Sequence, residues 1–574
     1  MTGNMGPGQA KKTWPKVVFA TLSAACLLGV SRPGIAWASS SVAAQAARAM
    51  PTNVLSRQIS LPSTGATAPG RAAAVPALPV LLSAEDLHRY AEIFSLQEAG
   101  AWREADVRIA ALQDRLLLGS VRAQRYLSPH YRMSFAEAKS WLAAYADQPE
   151  AWAIWKLAQR RGRGGAIRHP EVKPDAQAGE AALAAARAAR AASPASDEDT
   201  GDAADLVRPE AIGSKTPARF LAGISAWKGR RFDRAATDFE AVARDDGVSS
   251  WYVAAAAFWA ARANLVQHHP EAVNGLLELA ASQPRTFYGM LAARILGRND
   301  TAQYAPRPPT PAEIALLRAL PAGRRALALI EIGETDRAET ELRMLSSRRS
   351  MPGLADAIVA LADVSNMPAL CLAMASGRRV PDRRRVEAAY PVPDWTPRNG
   401  FSVDRALLFA LMMQESRFDR TAQSYAGAAG LMQLMPRTAR AVARKAGIPF
   451  NSVNDLVDPV LNLSIGQEYV RELLDHDEIN GNLILLLAAY NSGPSSLARM
   501  EADPVYRDDP LLFIESLPSN DRRLYVERVL TNMWIYRARL GQMTPDLDAL
   551  AANRWPSYVS VDVPQQEMKN ASAR

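Results

Sequence analysis

Apolar side chains recur every three to four residues over most of this chain, the pattern of helices that pack through one face. The pattern starts at Ser83, whose hydroxyl can cap a helix ahead of Glu85 and Asp86. A local phrase then repeats. Gly100-Ala-Trp102-Arg-Glu-Ala105 leads into Ile109 and Leu112; Gly229, Phe232 and Ala235 lead into Phe239 and Val242; Gly333 and Ala338 lead into Leu342 and Leu345. A glycine turn, a large residue and an alanine opening the next helix predict stacked helical hairpins, in a degenerate solenoid because the copies are unevenly spaced. The aromatic pairs Trp251-Tyr252, Phe258-Trp259 and Phe287-Tyr288 fall inside these hairpins and read as packing between them. Residues 160–213 interrupt the pattern with charged, Gly-, Ala- and Pro-rich sequence, including SPASDEDTGD at 193–202. They read as a mostly disordered insertion, with transient helix over 180–192, where alanine dominates.

A second body follows the solenoid (83–389). YPVPDWTPRNG at 390–400 cannot continue a helix through its prolines, so the boundary falls there. The spacing then predicts helices over about 404–415, 438–446, 459–475, 481–491 and 520–540, within a mostly helical domain ending near residue 545. Asp404 is placed to cap the first of them with its carboxylate. From Thr544 the tail carries Asp, Pro and Ser and is expected to be loose. The fold class is all-α: a helical solenoid followed by a smaller helical domain.

The N-terminus adds a compartment. Lys11, Lys12 and Lys16 precede an apolar run over 17–30, and Ala36-Trp37-Ala38 offers small residues for cleavage. This predicts a secretory signal peptide over 1–38, the run being too short to span a bilayer as an anchor. Residues 39–82, rich in Ala, Ser, Pro and Thr, are expected to be a disordered linker. Losing the signal removes Cys26 and leaves Cys371, so no internal disulfide can form. It also removes four basic and no acidic residues, so the formal charge of +8 falls to +4. That is ordinary solubility with a slight bias toward an anionic polymer. The six histidines show no metal-ligand spacing. Asp475, Asp477 and Asn480-Gly481 resemble a calcium loop only loosely, with the glycine and closing glutamate misplaced, and read as a solvated turn. No metal, cofactor or nucleic-acid partner is expected.

The candidate chemistry lies in ALLFALMMQESRFDRTAQSYAGAAGLMQLMP, residues 406–436. Leu407, Leu408, Leu411 and Met412 form an apolar stripe, and Glu415 follows Leu411 by four residues and so shares that face. Either Glu415 ends its helix in water, or it sits half-buried in a cleft where desolvation lets it hold a proton near neutrality. Ser424, Tyr425, Gly427 and Gly430 predict a tight polar loop beside it, followed by a methionine-lined wall carrying Gln433, which offers a donor and an acceptor.

These residues resemble the soluble lytic murein transglycosylases, goose-lysozyme-like enzymes that cleave bacterial cell-wall glycan. Three blocks match in order: QES at 414–416 with GLMQLMP at 430–436, AYNSGP at 489–494, and YVERVL at 525–530. The solenoid, with segments such as TFYGMLAARILG at 286–297, is similar to the helical superhelix that precedes the catalytic domain in that family. The resemblance implies a catalytic domain over 390–545, with Glu415 as the acid/base. It implies that Ser424, Gln433, Met435, Tyr490 and Asn491 line the groove, with Glu515 as a further substrate-binding carboxylate. It also implies a monomeric periplasmic enzyme acting on peptidoglycan strands, with possible envelope partners along the solenoid. Met413 departs from the arginine expected before Gln-Glu-Ser in many relatives. Ser416 reads as a structural partner, since no His and Asp stand at triad spacing. Two alternatives stay open: a muramidase using water as nucleophile, and a non-catalytic scaffold or wall-binding protein.

Overall fold

The computed structural model describes residues 78–161, 170, 180–192, 216–298, 308–348, 351–376, 387–499 and 508–562. The signal segment, residues 39–77 of the expected linker, most of the insertion and residues 563–574 lie outside the described residues. Among the described residues every named element is helical, and extended pairing is limited to isolated bridges such as Gln423–Ala429 and Ala429–Leu434.

Five of the turns between helices among the described residues share one local device. A residue with positive φ stands two positions before the next helix: Gly100 (φ 74°) before Trp102–Ala110, Arg230 (φ 56°) before Phe232–Ala243, His268 (φ 61°) before Pro270–Ala281, Gly333 (φ 84°) before Thr335–Arg348, and Asn366 (φ 56°) before Pro368–Ala375. In each, the next amide donates back five residues, as from Ala101 to Leu96 and from Arg231 to Ala226. This closes the last turn of the preceding helix and satisfies its free carbonyls. Gly229, expected to be the turn glycine, ends its helix at φ −80°, and Arg230 takes the left-handed position instead.

The solenoid closes on itself. The amides of Leu81 and Leu82 donate to Glu331 Oε2 at 3.1 and 3.3 Å. Arg325 donates to Asp147 at 2.7 Å and to Glu341 at 2.6 Å. Residues 78–82, the end of the expected linker, are therefore anchored. The expected transient helix is the helix Glu180–Ala192, with Ala182, Ala186 and Ala189 buried in the common core. Alanines spaced by three and four residues form a smooth stripe that lets helices approach closely.

The second body is built on two helices. Arg405–Glu415 is buried from Ala406 through Met413, and it packs against the 20-residue helix Asn520–Arg539. The tail expected to be loose is part of this body. The helix Pro545–Ala551 follows, with Asp546, Leu547 and Leu550 buried. Arg537, fully buried, donates to Asp404 Oδ2 at 3.0 Å and also engages Asp546. Asp404 does not cap its own helix. Its Oδ1 accepts from the amides of Val561 (2.9 Å) and Asp562 (3.2 Å), while Asp562 Oδ2 accepts from the Arg405 amide at 2.7 Å. The cap is thus exchanged between two distant segments, because the buried guanidinium of Arg537 draws the Asp404 carboxylate inward.

Candidate active site

Glu415 is the last residue of its helix and is half-buried. Tyr525, on the helix Asn520–Arg539, donates its hydroxyl to Glu415 Oε1 at 2.6 Å. Burial pushes the Glu415 carboxyl up to about 7, with the Tyr525 hydrogen bond pulling the other way. Desolvation disfavours the anion, and the negative end of the helix dipole acts in the same direction. The groups acting on Glu415 include no second carboxylate. Burial and the charge of Glu415 hold the Tyr525 and Tyr490 hydroxyls well above the usual tyrosine range, so both remain protonated donors.

The loop 422–435 is linked to Glu415 through Tyr490, which feels the Glu415 charge and contacts Met432, and the loop is pinned at several points. The Gly430 amide donates to Ala422 O at 2.9 Å. Gln433, at φ 45°, donates its side-chain nitrogen to Ala422 O (3.0 Å) and Gly430 O (2.9 Å). Both of its amide hydrogens are spent, so the group it can offer a substrate is its oxygen, an acceptor only. Gly430 has φ +77°, and a Cβ there would meet Leu456 O at 2.3 Å and Asn462 Nδ2 at 2.1 Å. The fully buried Asn462 accepts from the Met432 amide at 3.0 Å and donates to Leu456 O at 3.0 Å. It thereby fixes the Met432 carbonyl, which accepts the Tyr490 hydroxyl at 2.9 Å. Ser424 turns its hydroxyl onto its own loop, accepting from the Ala428 amide at 2.9 Å. Met435 is 41% exposed at the foot of the helix Pro436–Lys445.

The structure thus brings together Glu415, Tyr490 and the loop carrying Gln433. Asn491 follows Tyr490 near the end of the helix Leu483–Ser492, half-buried. Glu515 is held elsewhere. It accepts from Tyr288 at 2.6 Å and from Arg523 at 3.2 Å, and its side chain is almost fully buried. A carboxylate with both oxygens engaged inside the protein is a structural ion, not a group presented to a sugar. Ser416 donates to Met412 O at 3.1 Å, as its structural reading implied. Met413 is buried and receives the Tyr536 hydroxyl at 3.9 Å. Tyr525, which opens the YVERVL block, reads from its spacing as core packing, and the structure adds its hydrogen bond to Glu415. The available signal was its hydroxyl, because a tyrosine on a buried helix face needs a partner. Among the described residues no cluster of three or more His, Cys, Asp or Glu side chains could hold a metal ion.

Residues 397–509 match the Transglycosylase SLT domain family. Over 158 residues the chain is 33% identical to the soluble lytic murein transglycosylase of Escherichia coli K12, covering 27% of this chain and 24% of that protein. A putative soluble lytic murein transglycosylase of Haemophilus influenzae is 30% identical over 146 residues, 25% of this chain and 24% of the relative. The chain spans about a quarter of the length of the curated relatives it matches. The crystal structure of the 70 kDa soluble lytic transglycosylase of Escherichia coli superposes with a TM-score of 0.55 at 17% identity, covering 83% of this chain and 99% of that one. That likeness extends the fold relationship from the SLT domain into the solenoid. Glu515 and Tyr525 lie beyond the matched span of the SLT domain.

Proposed function

We propose that this protein is a lytic transglycosylase of peptidoglycan, cleaving the β-1,4 bond between N-acetylmuramic acid and N-acetylglucosamine. The observation that carries the proposal is the single carboxyl group of Glu415, desolvated to a pKa of about 7 and held by Tyr525. Protonated Glu415 donates to the glycosidic oxygen as the bond to the anomeric carbon breaks. Glycosidases that use water or an enzyme nucleophile pair their acid with a second carboxylate. Here the muramic acid 6-hydroxyl is the economical nucleophile. It attacks its own anomeric carbon while the Glu415 carboxylate takes its proton. The product is a 1,6-anhydro end, no water is consumed, and Glu415 ends protonated as it began. Tethering the nucleophile supplies the effective concentration that a diffusing water lacks. Gln433 offers an acceptor for an N-acetyl N–H, and Met435 with Tyr490 offers apolar area to a ring face. Ser424 and Asn491 complete the same wall.

The basic, apolar N-terminus supports export to the periplasm, where this substrate lies. No helix among the described residues is long and apolar enough to cross a membrane. Glu415→Gln, in the full chain, is expected to abolish release of soluble muropeptides from purified sacculi while binding to sacculi persists. Mass spectrometry of the wild-type products distinguishes the reaction types, since anhydro ends are lighter than reducing ends by one water. Undiminished release by the variant would refute the role of Glu415, and reducing ends would make the protein a muramidase.

A further inference from the structure

A buried polar network joins the solenoid to the helix Asn520–Arg539, which carries Tyr525 to Glu415. Arg523 Nη1 donates to Glu515 Oε2 and to Glu527 Oε1, each at 3.2 Å. Its Nη2 donates to the Tyr252 hydroxyl (2.9 Å), Asn520 Oδ1 (2.6 Å) and Thr216 Oγ1 (3.1 Å). The solenoid completes the carboxylates. Trp251 Nε1 donates to Glu527 Oε2 at 2.7 Å, and the Tyr288 hydroxyl donates to Glu515 Oε1 at 2.6 Å. Trp251, Tyr252, Tyr288, Glu515, Arg523 and Glu527 are all buried. Arg528 is a further cation acting on Glu527. Two buried carboxylates bridged by one guanidinium are tolerable only if the remaining oxygens find donors, and the solenoid provides them.

The network has a direction. Arg523 and Glu527 are four residues apart and share one face of the helix Asn520–Arg539. Tyr525 lies midway between them, roughly 200° around the helix from each, and so projects from the opposite side. That side meets the helix Arg405–Glu415, where Tyr525 reaches Glu415. An apolar seam would tolerate small rotations of this helix. Hydrogen bonds to Glu515, Arg523 and Glu527 do not, because each weakens steeply with a change in distance or angle.

We propose that Trp251 and Tyr288 are positioning residues for the reaction: solenoid side chains that grip Glu527 and Glu515 and so fix the helix from which Tyr525 reaches Glu415. The proposal rests on Glu415 being the catalytic acid. On this reading the solenoid is part of the catalytic apparatus, and the groups around Glu415 are correctly placed only when it is docked.

The test uses the full chain with Trp251→Phe and Tyr288→Phe, which keep the rings and remove the donors. Tyr525→Phe sets the scale. Losing its hydrogen bond destabilises the Glu415 carboxylate, so the alkaline limb of the pH–kcat profile moves to higher pH. Both solenoid variants are expected to move that limb the same way by at least about 0.3 pH unit, with kcat lowered several-fold and KM within about twofold. Leu342→Ala, a destabilising change in the buried face of Thr335–Arg348, is expected to lower thermal stability without moving the limb. Unmoved limbs in both solenoid variants, or an equal movement in Leu342→Ala, would overturn the proposal. Infrared titration of the Glu415 carboxyl reads the same shift without turnover, so an inactive wild type would sink the enzymatic reading, while the titration would still show whether the solenoid side chains hold Tyr525 against Glu415. Should Trp251→Phe not fold, Tyr288→Phe decides alone.

Discussion

At the scale of single residues, Glu415, the proposed acid, carries a stability cost. Its folded pKa of about 7 lies above the ordinary carboxylate value of 4.5, so the folded protein binds a proton there that the unfolded chain has released. The contribution of Glu415 to stability is therefore greatest below about pH 4.5 and is lost as pH rises through about 7. Glu415→Gln is expected to be more stable than wild type at pH 8, by on the order of 1–3 kcal/mol, with the advantage vanishing near pH 4. Calorimetry across pH measures this, and an advantage that persists unchanged at pH 4 would contradict it. For activity the sign is the same. Because the acid must be protonated, kcat/KM is expected to fall as pH rises through about 7, as a pH–rate profile will establish. The partial burial of Glu415 was legible in the sequence from a carboxylate on an apolar stripe. Its partner was not, because Tyr525 lies 110 residues away and looks like any other aromatic on a buried helix face.

At the scale of elements, close approach matters more than propensity. Gly430 and Asn462 form a wedge and staple that set the Met432 carbonyl, and with it Tyr490. Gly430→Ala places a methyl group against the Leu456 carbonyl in a left-handed backbone. It is expected to cost at least about 2 kcal/mol and to lower activity beyond the loss of folded protein; denaturant unfolding and muropeptide release together measure both. The hairpin turns make a similar point. The repeated phrase located them, but where Gly229 offered a glycine the chain used Arg230 for the left-handed residue. The helix register had already been fixed by which residues must be buried. Glu515 was misplaced for a related reason. Its position between apolar neighbours was readable, but the hydrogen bond that turns it inward comes from Tyr288, 227 residues away.

At the scale of the whole molecule, distant segments complete one another. The chain's last described residues supply Asp546 to Arg537 and the Val561 and Asp562 amides to Asp404, at the start of the helix Arg405–Glu415. Deleting residues 546–574 would leave Arg537 and Asp404 buried without these partners. The expected cost is about 3–5 kcal/mol, enough that the truncated chain should show a much lower unfolding temperature or fail to accumulate folded. A truncation with wild-type thermal stability would show that this segment is dispensable. The solenoid contributes on the other side. Phe287 stacks on Trp534 at 5.3 Å, Arg262 pairs with Asp509 at 2.8 Å and Arg294 with Asp548 at 2.6 Å. The seam thus mixes apolar area with directional polar contacts.

Local order and chemical type were determined by the sequence alone. Helical periodicity, glycine-marked hairpins, the proline-rich crossing at 390–400 and an acid between matched blocks are properties of neighbouring residues, where backbone geometry and side-chain spacing act directly. Only the tertiary structure decided which carboxylate is locked by an arginine, which tyrosine holds Glu415, and which aspartate caps the helix Arg405–Glu415. Those choices are made by desolvation and by hydrogen bonds between residues hundreds of positions apart, and spacing along the chain carries no record of either.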